Sequence, residues 1–398
     1  MRRAFALSVV LAISVLVLAR SVAVPLAQTP AKSLEIYYID TEGGQSTLFV
    51  SPAGQAVLVD TGNNGTRDPD RIMEAVNAAG VKQIDYLVVT HYHGDHIGGF
   101  PELSKRISIG HIVDHGPTVQ PEQKHEIYDA AVAKGPHIVP RPGDKLPVTR
   151  IDWTFVSVAG KTLKTNMAGA PGAGKPNPYC AEFKPKDIQT DLENGQSTGS
   201  VIAYGKFRTI DLGDLLWNVE GDLMCPTNHI GTVDVYLTTH HGLDWSNSKV
   251  VVHALQPRVA IMNNGTRNGG QLEVYETLES APGLEDLWQL HWSYNGLLEH
   301  NAPGRFIANI DDKDQLSAIV ANPPTPLTSV LGPPAPRGAA PPTRGSAAAA
   351  QQSPYPAGLA GNGNHAPAYW IKVSAQPDGT FTVTNSRNGF SKTYRPRS

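Results

Sequence analysis

Cysteine is scarce in this chain: 398 residues carry only Cys180 and Cys225. That excludes a disulfide-dense scaffold. In an exported protein two cysteines can pair with nothing left over, which favours a disulfide over free thiols. Zinc ligation competes with that reading, but neither cysteine lies in a CxxC pattern. An excess of positive charge is also lacking. The 33 Lys and Arg are outnumbered by 36 Asp and Glu, for a net charge of −3. Such a chain has no global attraction to polyanions, so nucleic acid stays open as a substrate but is not favoured by charge. Long apolar runs are missing too. The stretch Ala4 to Ala19, behind Arg2 and Arg3, falls short of the ~20 residues a membrane span needs. It reads as a secretory signal peptide over residues 1–27, with cleavage after Ala23 or Ala27, and an uncleaved anchor is the competing reading. Losing Arg2, Arg3 and Arg20 with the leader takes the net charge from −3 to −6. The mature protein is expected in the periplasm or secreted, with no stable membrane association.

What the chain does have is a dense group of metal-ligand types. His91, His93, Asp95 and His96 stand within six positions of VVTHYHGDHIGGF, Val88 to Phe100. Ile84 and Tyr86 to Val89 form an apolar, β-branched run that reads as a buried strand leading into them. Gly94, Gly98 and Gly99 then let the backbone turn tightly. Zinc or manganese needs imidazoles and carboxylates converging on a point. A strand end followed by a glycine-loosened loop turns alternate side chains inward to do that. His91 and His93 would serve one ion, and Asp95 and His96, past the turn, a second. A polar loop with incidental histidines is the bland alternative, and the density of ligand types argues against it.

The surrounding pattern alternates strands with helices. Leu34 to Asp40, Ser46 to Val50 and Gln55 to Asp60 read as strands. Asp68 to Ala79 reads as a helix capped by Asp68, with Pro69 in its first turn and Gly80 as its stop. Ile107 to His115 is a further strand, and His115 at its end is either a site residue or a surface-loop histidine. Gly160 to Lys186 has no periodicity and reads as a long loop, a wall or lid. Gly199 to Ala203 and Phe207 to Leu212 form a hairpin. VDVYLTTHHGLDW (Val233 to Trp245) echoes IDYLVVTHYHGDH, which puts His240 where His91 sits. Asn322 to Ala366 is rich in Pro, Ala, Gly and Ser with almost no charge, and is read as disordered or polyproline-like. Alternation resumes around the turn Pro377-Asp378-Gly379 in a hairpin too short to fold alone. The expected organisation is a main domain over 33–320, an insertion over 321–366 and a terminal hairpin over 367–398 completing the same domain. A small separate binding module is the alternative for the hairpin.

HYHGDH matches the H-x-H-x-D-H motif of the metallo-β-lactamase superfamily, and IDYLVVTHYHGDHIGG resembles its ComEC-type branch. The resemblance covers most of Leu34 to Asn309. It implies an α/β (α+β) fold, the four-layer αββα sandwich, with one or two divalent ions, zinc or manganese, on its upper rim. Asp40 to Gln45 (DTEGGQ) is a variant of the branch's D-V-G-Q-G-[DE] stretch. Asp60-Thr61-Gly62 matches its DTG turn, whose carboxylate supports the metal loop. Carried over by position, His91 and His93 would hold the first ion, and Asp95, His96 and His240 the second. Asp214, in DLGD, would bridge them. One departure stands out. The stretch that supplies a third histidine in many members reads ENGQSTGS here (Glu193 to Ser200), with none. Asn194, Gln196, water or His115 would then complete the first site.

The resemblance further implies an exported metal-dependent hydrolase working through hydroxide formed at the metal. Asp95 would also accept the nucleophile's proton. His241 would donate a proton, contact substrate or support His240. A phosphodiester or related phosphoester substrate follows from the ComEC-type likeness alone. A lactam, lactone or other ester hydrolase is the alternative among enzymes, and a non-catalytic metal- or ligand-binding protein of the same fold is the alternative outside them.

Overall fold

The computed structural model describes residues 32–121, 125–188, 192–296, 300–310 and 365–397. The leader expected over 1–27 and nearly all of the insertion expected over 321–366 lie outside them.

In the first half, β1 (Leu34–Tyr38), β2 (Thr47–Val50), β3 (Ala56–Val59), β4 (Ile84–Val88), β5 (Ile109–Val113) and β6 (His137–Ile138) join in order. Helices α1 (Arg67–Ala78), α2 (Gly94–Ile97), α3 (Phe100–Leu103) and α4 (Glu126–Lys134) lie between them in sequence. The second half begins with β7 (Lys145–Leu146), β8 (Asp152–Val158) and β9 (Lys161–Thr162). The short β10 (Lys175–Pro176) pairs with β13 (Thr227–Asn228). Strands β11 (Gly199–Tyr204), β12 (Phe207–Asp211), β14 (Val235–Leu237), β15 (Val259–Met262), β16 (Asp286–His291) and β17 (Ile307–Asn309) build the second sheet on β8. Helices α5 (Trp217–Met224), α6 (Lys249–Leu255) and α7 (Leu272–Glu279) accompany it. Finally β18 (Ile371–Ala375), β19 (Phe381–Asn385) and β20 (Ser391–Tyr394) return to the first sheet, where β18 pairs antiparallel with β1, Ile36 opposite Val373.

Three apolar clusters make the layers. Alternation sends Ile36 and Tyr38 of β1 to the space between the sheets, with Val57, Val88, Trp153, Ile202, Ile261 and Trp288. Tyr37 and Ile39 face the other way, toward Ile72 and Val76 of α1 and Phe100 of α3. On the far side Val201, Tyr236 and Ala260 pack against Leu223, Val251, Leu255 and Leu278 of α5 to α7. Helix, sheet, sheet and helix therefore stack as the αββα sandwich. Strand period 2 and the helical stripe each put a continuous apolar face against its neighbour.

Some local expectations give way. Helix α1 starts one residue early behind Thr66, which makes no side-chain cap. Asp68 is spent elsewhere, accepting from the Asn63 N–H at 2.6 Å and so closing the turn after Asp60. Helix α5 and strands β16 and β17 carry no signal strong enough to be read in advance. The long loop Gly160 to Lys186 carries the short β9 and β10 and is anchored where Cys180 bridges to Cys225 just beyond α5. The bridge spans 45 positions, which in the chain-entropy account is worth about 4 kcal/mol. The Cys180→Ser, Cys225→Ser variant is therefore expected to unfold at lower denaturant with an unchanged fold. Thiol titration of unreduced, denatured wild type should find no free thiol, and two reactive thiols would contradict the pairing. Among the described residues, no helix is long and apolar enough to cross a membrane.

Candidate metal centre

Strand β4 delivers Thr90 and the following loop to the rim between the sheets, and Asp60, just after β3, receives them. Asp60 adopts φ +59. Its Oδ1 accepts the Thr90 N–H at 2.7 Å and its Oδ2 the Thr90 hydroxyl at 2.6 Å. Oδ2 also lies 2.7 Å from His96 Nδ1. That contact puts the His96 proton on Nδ1 and turns Nε2 inward, the usual way a carboxylate orients a metal-binding imidazole. The glycines of the loop are needed sterically. A Cβ on Gly99 would lie 2.0 Å from Thr61 O, and one on Gly98 2.1 Å from Gly94 O.

Asp214 stands at the centre. Its Oδ2 lies 3.2 Å from His241 Nε2, 3.3 Å from His96 Nε2, 3.4 Å from His240 Nε2 and 3.9 Å from His91 Nε2. Neither carboxylate oxygen, though fully buried, makes a well-aligned hydrogen bond. Imidazole nitrogens arrayed around a buried carboxylate at more than contact distance fit a divalent cation better than they fit a hydrogen-bond network. Asp95, His96, Asp214 and His241 each offer one ligand atom, and these atoms all lie within 4.8 Å of one another. His91 and His93 sit beside them, Nε2 to Nδ1 3.0 Å.

Charge agrees with the geometry. Burial pushes the His91 imidazole well below its ordinary value, with His96 and His93 adding to it. It is therefore neutral, the form a metal binds. Burial also opposes charge on His96 and His241. Asp214, with Asp60 beside His96 and Asp95 beside His241, nevertheless carries both above the usual imidazole range. The same imidazoles, outweighing burial, hold Asp214 well below the carboxylate range. The pocket is thus built to gather positive charge between carboxylates.

Two side chains sit differently from where the sequence comparison would put them. His241, expected as proton donor or support, has a nitrogen grouped with the Asp95 and His96 ligand atoms, while His240, expected there, stands 3.4 Å from Asp214. The backbone explains the exchange. His240 and His241 both adopt left-handed φ (+54 and +56), followed by Gly242 at +83, so the strand-like alternation behind the comparison with His91 does not continue past β14. Such non-glycine conformations cost roughly 1–3 kcal/mol each and need support. Asn247 gives it, accepting from Thr239 N–H at 3.0 Å and donating to Thr239 O at 2.7 Å. Glu220 holds Asn247 and Ser248 through their N–H groups, both at 2.8 Å. Burial pushes Glu220 up to about 7 despite these bonds. His240 turns instead toward Asn194, whose amide nitrogen lies 3.3 Å from its Nε2.

A further difference concerns His115. It is buried rather than on a surface loop, and its Nε2 pairs with Glu193 Oε1 at 2.8 Å, both side chains fully buried. Glu193 also accepts from Tyr92 N–H at 3.2 Å and Val119 N–H at 3.1 Å. Sequence reading missed Glu193, Glu220 and Asn247. Nothing marks them locally except that Glu193 adjoins Asn194.

Residues 40–176 match the family described as the Metallo-beta-lactamase superfamily. Competence protein ComA of Neisseria gonorrhoeae is 26% identical over 258 residues, 64% of this chain and 30% of that protein. ComE operon protein 3 of Bacillus subtilis (strain 168) is 26% identical over 250 residues, 59% of this chain and 29% of that protein. Ribonuclease Z of Nanoarchaeum equitans (strain Kin4-M) is 36% identical over 80 residues, 18% of this chain and 24% of that protein. The chain thus spans less than a third of the length of each of these relatives. The match to the metallo-β-lactamase superfamily runs through the HYHGDH loop, seated at the rim of the αββα sandwich, and residues 40–176 are what carries that likeness.

Proposed function

We propose that the chain is an exported hydrolase that holds two divalent ions and cleaves a small phosphodiester or related phosphoester. The observation that carries this reading is Asp214, one buried carboxylate oxygen set among imidazoles from two distant segments of the chain. In this reading Asp95, His96 and His241 hold one ion, His91, His93 and His240 the other, and Asp214 both. His240 stands in for the histidine that the Glu193 to Ser200 stretch lacks, which is consistent with its Nε2 lying against Asn194. A set this rich in imidazole suits zinc better than manganese.

Bound there, the ions would acidify water and polarise the scissile phosphoryl group. The protein's own contribution is orientation and proton handling. Asp60 holds the proton of His96 on Nδ1. Asp95, nearly buried and with one oxygen 3.5 Å from His241 Nε2, has a second oxygen that would take the proton of the attacking water. The Asn194 amide stands beside His240, where it can donate to a developing oxyanion. Phosphodiester chemistry is supported by the ComEC-type likeness and by a relative that is a ribonuclease by name. The net charge, −3 for the full chain and −6 without the leader, offers no attraction to long polyanions. Export is supported by the disulfide, which persists in oxidising compartments.

Zinc-reconstituted protein is expected to release p-nitrophenolate from bis-p-nitrophenyl phosphate, to stop on chelation and to recover on adding metal. Turnover of nitrocefin or a lactone with bis-p-nitrophenyl phosphate untouched would move the substrate to the lactam and ester class.

A further inference from the structure

A second cluster of ligand-type side chains lies outside the centre just described and shares no residue with it. Asp40 and Glu42 come from the loop after β1, His291 from the end of β16, and His365 from the chain just before β18. His291 Nε2 is 2.5 Å from Asp40 Oδ1 and 2.7 Å from Glu42 Oε2. His365 Nε2 is 3.0 Å from Asp40 Oδ2. One ligand atom from each of the four lies within 4.8 Å of all the others. We propose that Asp40, Glu42, His291 and His365 form a further zinc site, structural rather than catalytic, that fastens the chain at His365 to the rim of the sandwich.

The competing account is a metal-free ion pair, an imidazolium of His291 between two carboxylates with Arg71 as a second cation. Arg71 does reach Asp40 Oδ2, at 2.7 Å. Geometry favours the metal. An imidazole Nε2 has one in-plane direction for one hydrogen, yet two oxygens from different residues crowd that same atom. A second imidazole nitrogen then adds itself to Asp40. One ligand atom from each of four residues falls within 4.8 Å of the others, so a single ion can reach all four once the contacts of 2.5–3.0 Å open to the separation, about 3.3 Å, of ligands on a tetrahedral zinc. Two imidazoles and two carboxylates are a zinc set, and four protein ligands close it against substrate.

The surroundings position the donors as supports of a metal site do. Thr266 donates its hydroxyl to Glu42 Oε1 at 2.5 Å, turning Oε2 to the cluster. The Glu42 N–H donates to Asp40 Oδ1 at 2.9 Å. Arg71 also donates to the His365 carbonyl at 3.0 Å, which brings that residue to the cluster. Glu42 itself adopts φ +54, a conformation held only against strain. The same loop continues to Gln45, whose N–H donates to Asp95 O at 3.1 Å. An ion here would therefore stiffen the loop that touches the Asp95 backbone.

The test is zinc content per chain after chelation, reloading with zinc alone and dialysis, read by elemental analysis. Asp214→Ala, which disables the first centre, is expected to keep one zinc per chain. Adding His365→Ala or Glu42→Gln to it should weaken that remaining zinc by at least about tenfold. Both added substitutions touch partly exposed side chains, so if one variant fails to fold the other gives the same reading. Cobalt in place of zinc should leave a tetrahedral visible band in Asp214→Ala that His365→Ala removes. An Asp214→Ala protein without metal, or with a zinc indifferent to both added substitutions, would overturn the proposal while leaving the hydrolase reading untouched.

Discussion

Asp214→Ala is expected to empty both ions of the HYHGDH centre and to lower phosphodiester hydrolysis by at least about 10³-fold, no less than the loss of a single oxyanion donor costs. The carboxylate is placed for this effect. It is fully buried, and His91, His96, His240 and His241 all stand within 3.9 Å of its Oδ2. Removing it leaves those imidazoles facing one another across a gap. Single substitutions on either side should separate the ions. His241→Ala is expected to lose the ion shared with Asp95 and His96 and to keep the other, and His240→Ala to do the reverse. Metal content and turnover measured together decide it. An Asp214→Ala protein that still held two ions at this centre would refute the bridging role. Loss of the same ion in both histidine variants would refute the division of labour between His240 and His241.

Deleting residues 367–398 should cost most of the fold. Without β18 the edge of β1 stands bare, from Leu34 to Tyr38, and unpaired edges invite aggregation. The deletion also removes Ile371, Val373, Phe381, Val383 and Tyr394, all fully buried between the sheets with Trp153 and Trp288. At roughly 1.5–3 kcal/mol for each buried side chain, the loss is about 10 kcal/mol, comparable to the whole stability of a domain. The truncated chain is therefore expected in the insoluble fraction, or soluble only with a collapsed melting temperature. A truncated protein that melts like the full chain would show that the three strands act as a separate module.

Several features of this site follow from short-range pattern. A buried strand, an abrupt run of histidines and aspartate, and glycines behind them are contiguous, so His91, His93, Asp95 and His96 are found by reading along the chain. Asp60 is as plain, because its turn chemistry and its place after an apolar strand are both local. The alternation of β1 and the stripe of α1 are legible for the same reason. Periods of 2 and 3.6 are properties of a segment, and burial only selects the face.

The tertiary structure decided what depends on direction and on distant partners. His240 and His241 are neighbours with the same chemistry, and only the left-handed turn held by Asn247 and Glu220 sends one toward Asp95 and the other toward Asn194. His115 has the composition of a site residue, yet Glu193, 78 positions away, claims its Nε2. Asp40 and His291 are 251 positions apart and meet because β18 extends the first sheet on β1 while β16 lies in the second, facing it across a common core. No local period records such a meeting. It is set by which strands pair, in which register, and by how two sheets close on shared apolar side chains.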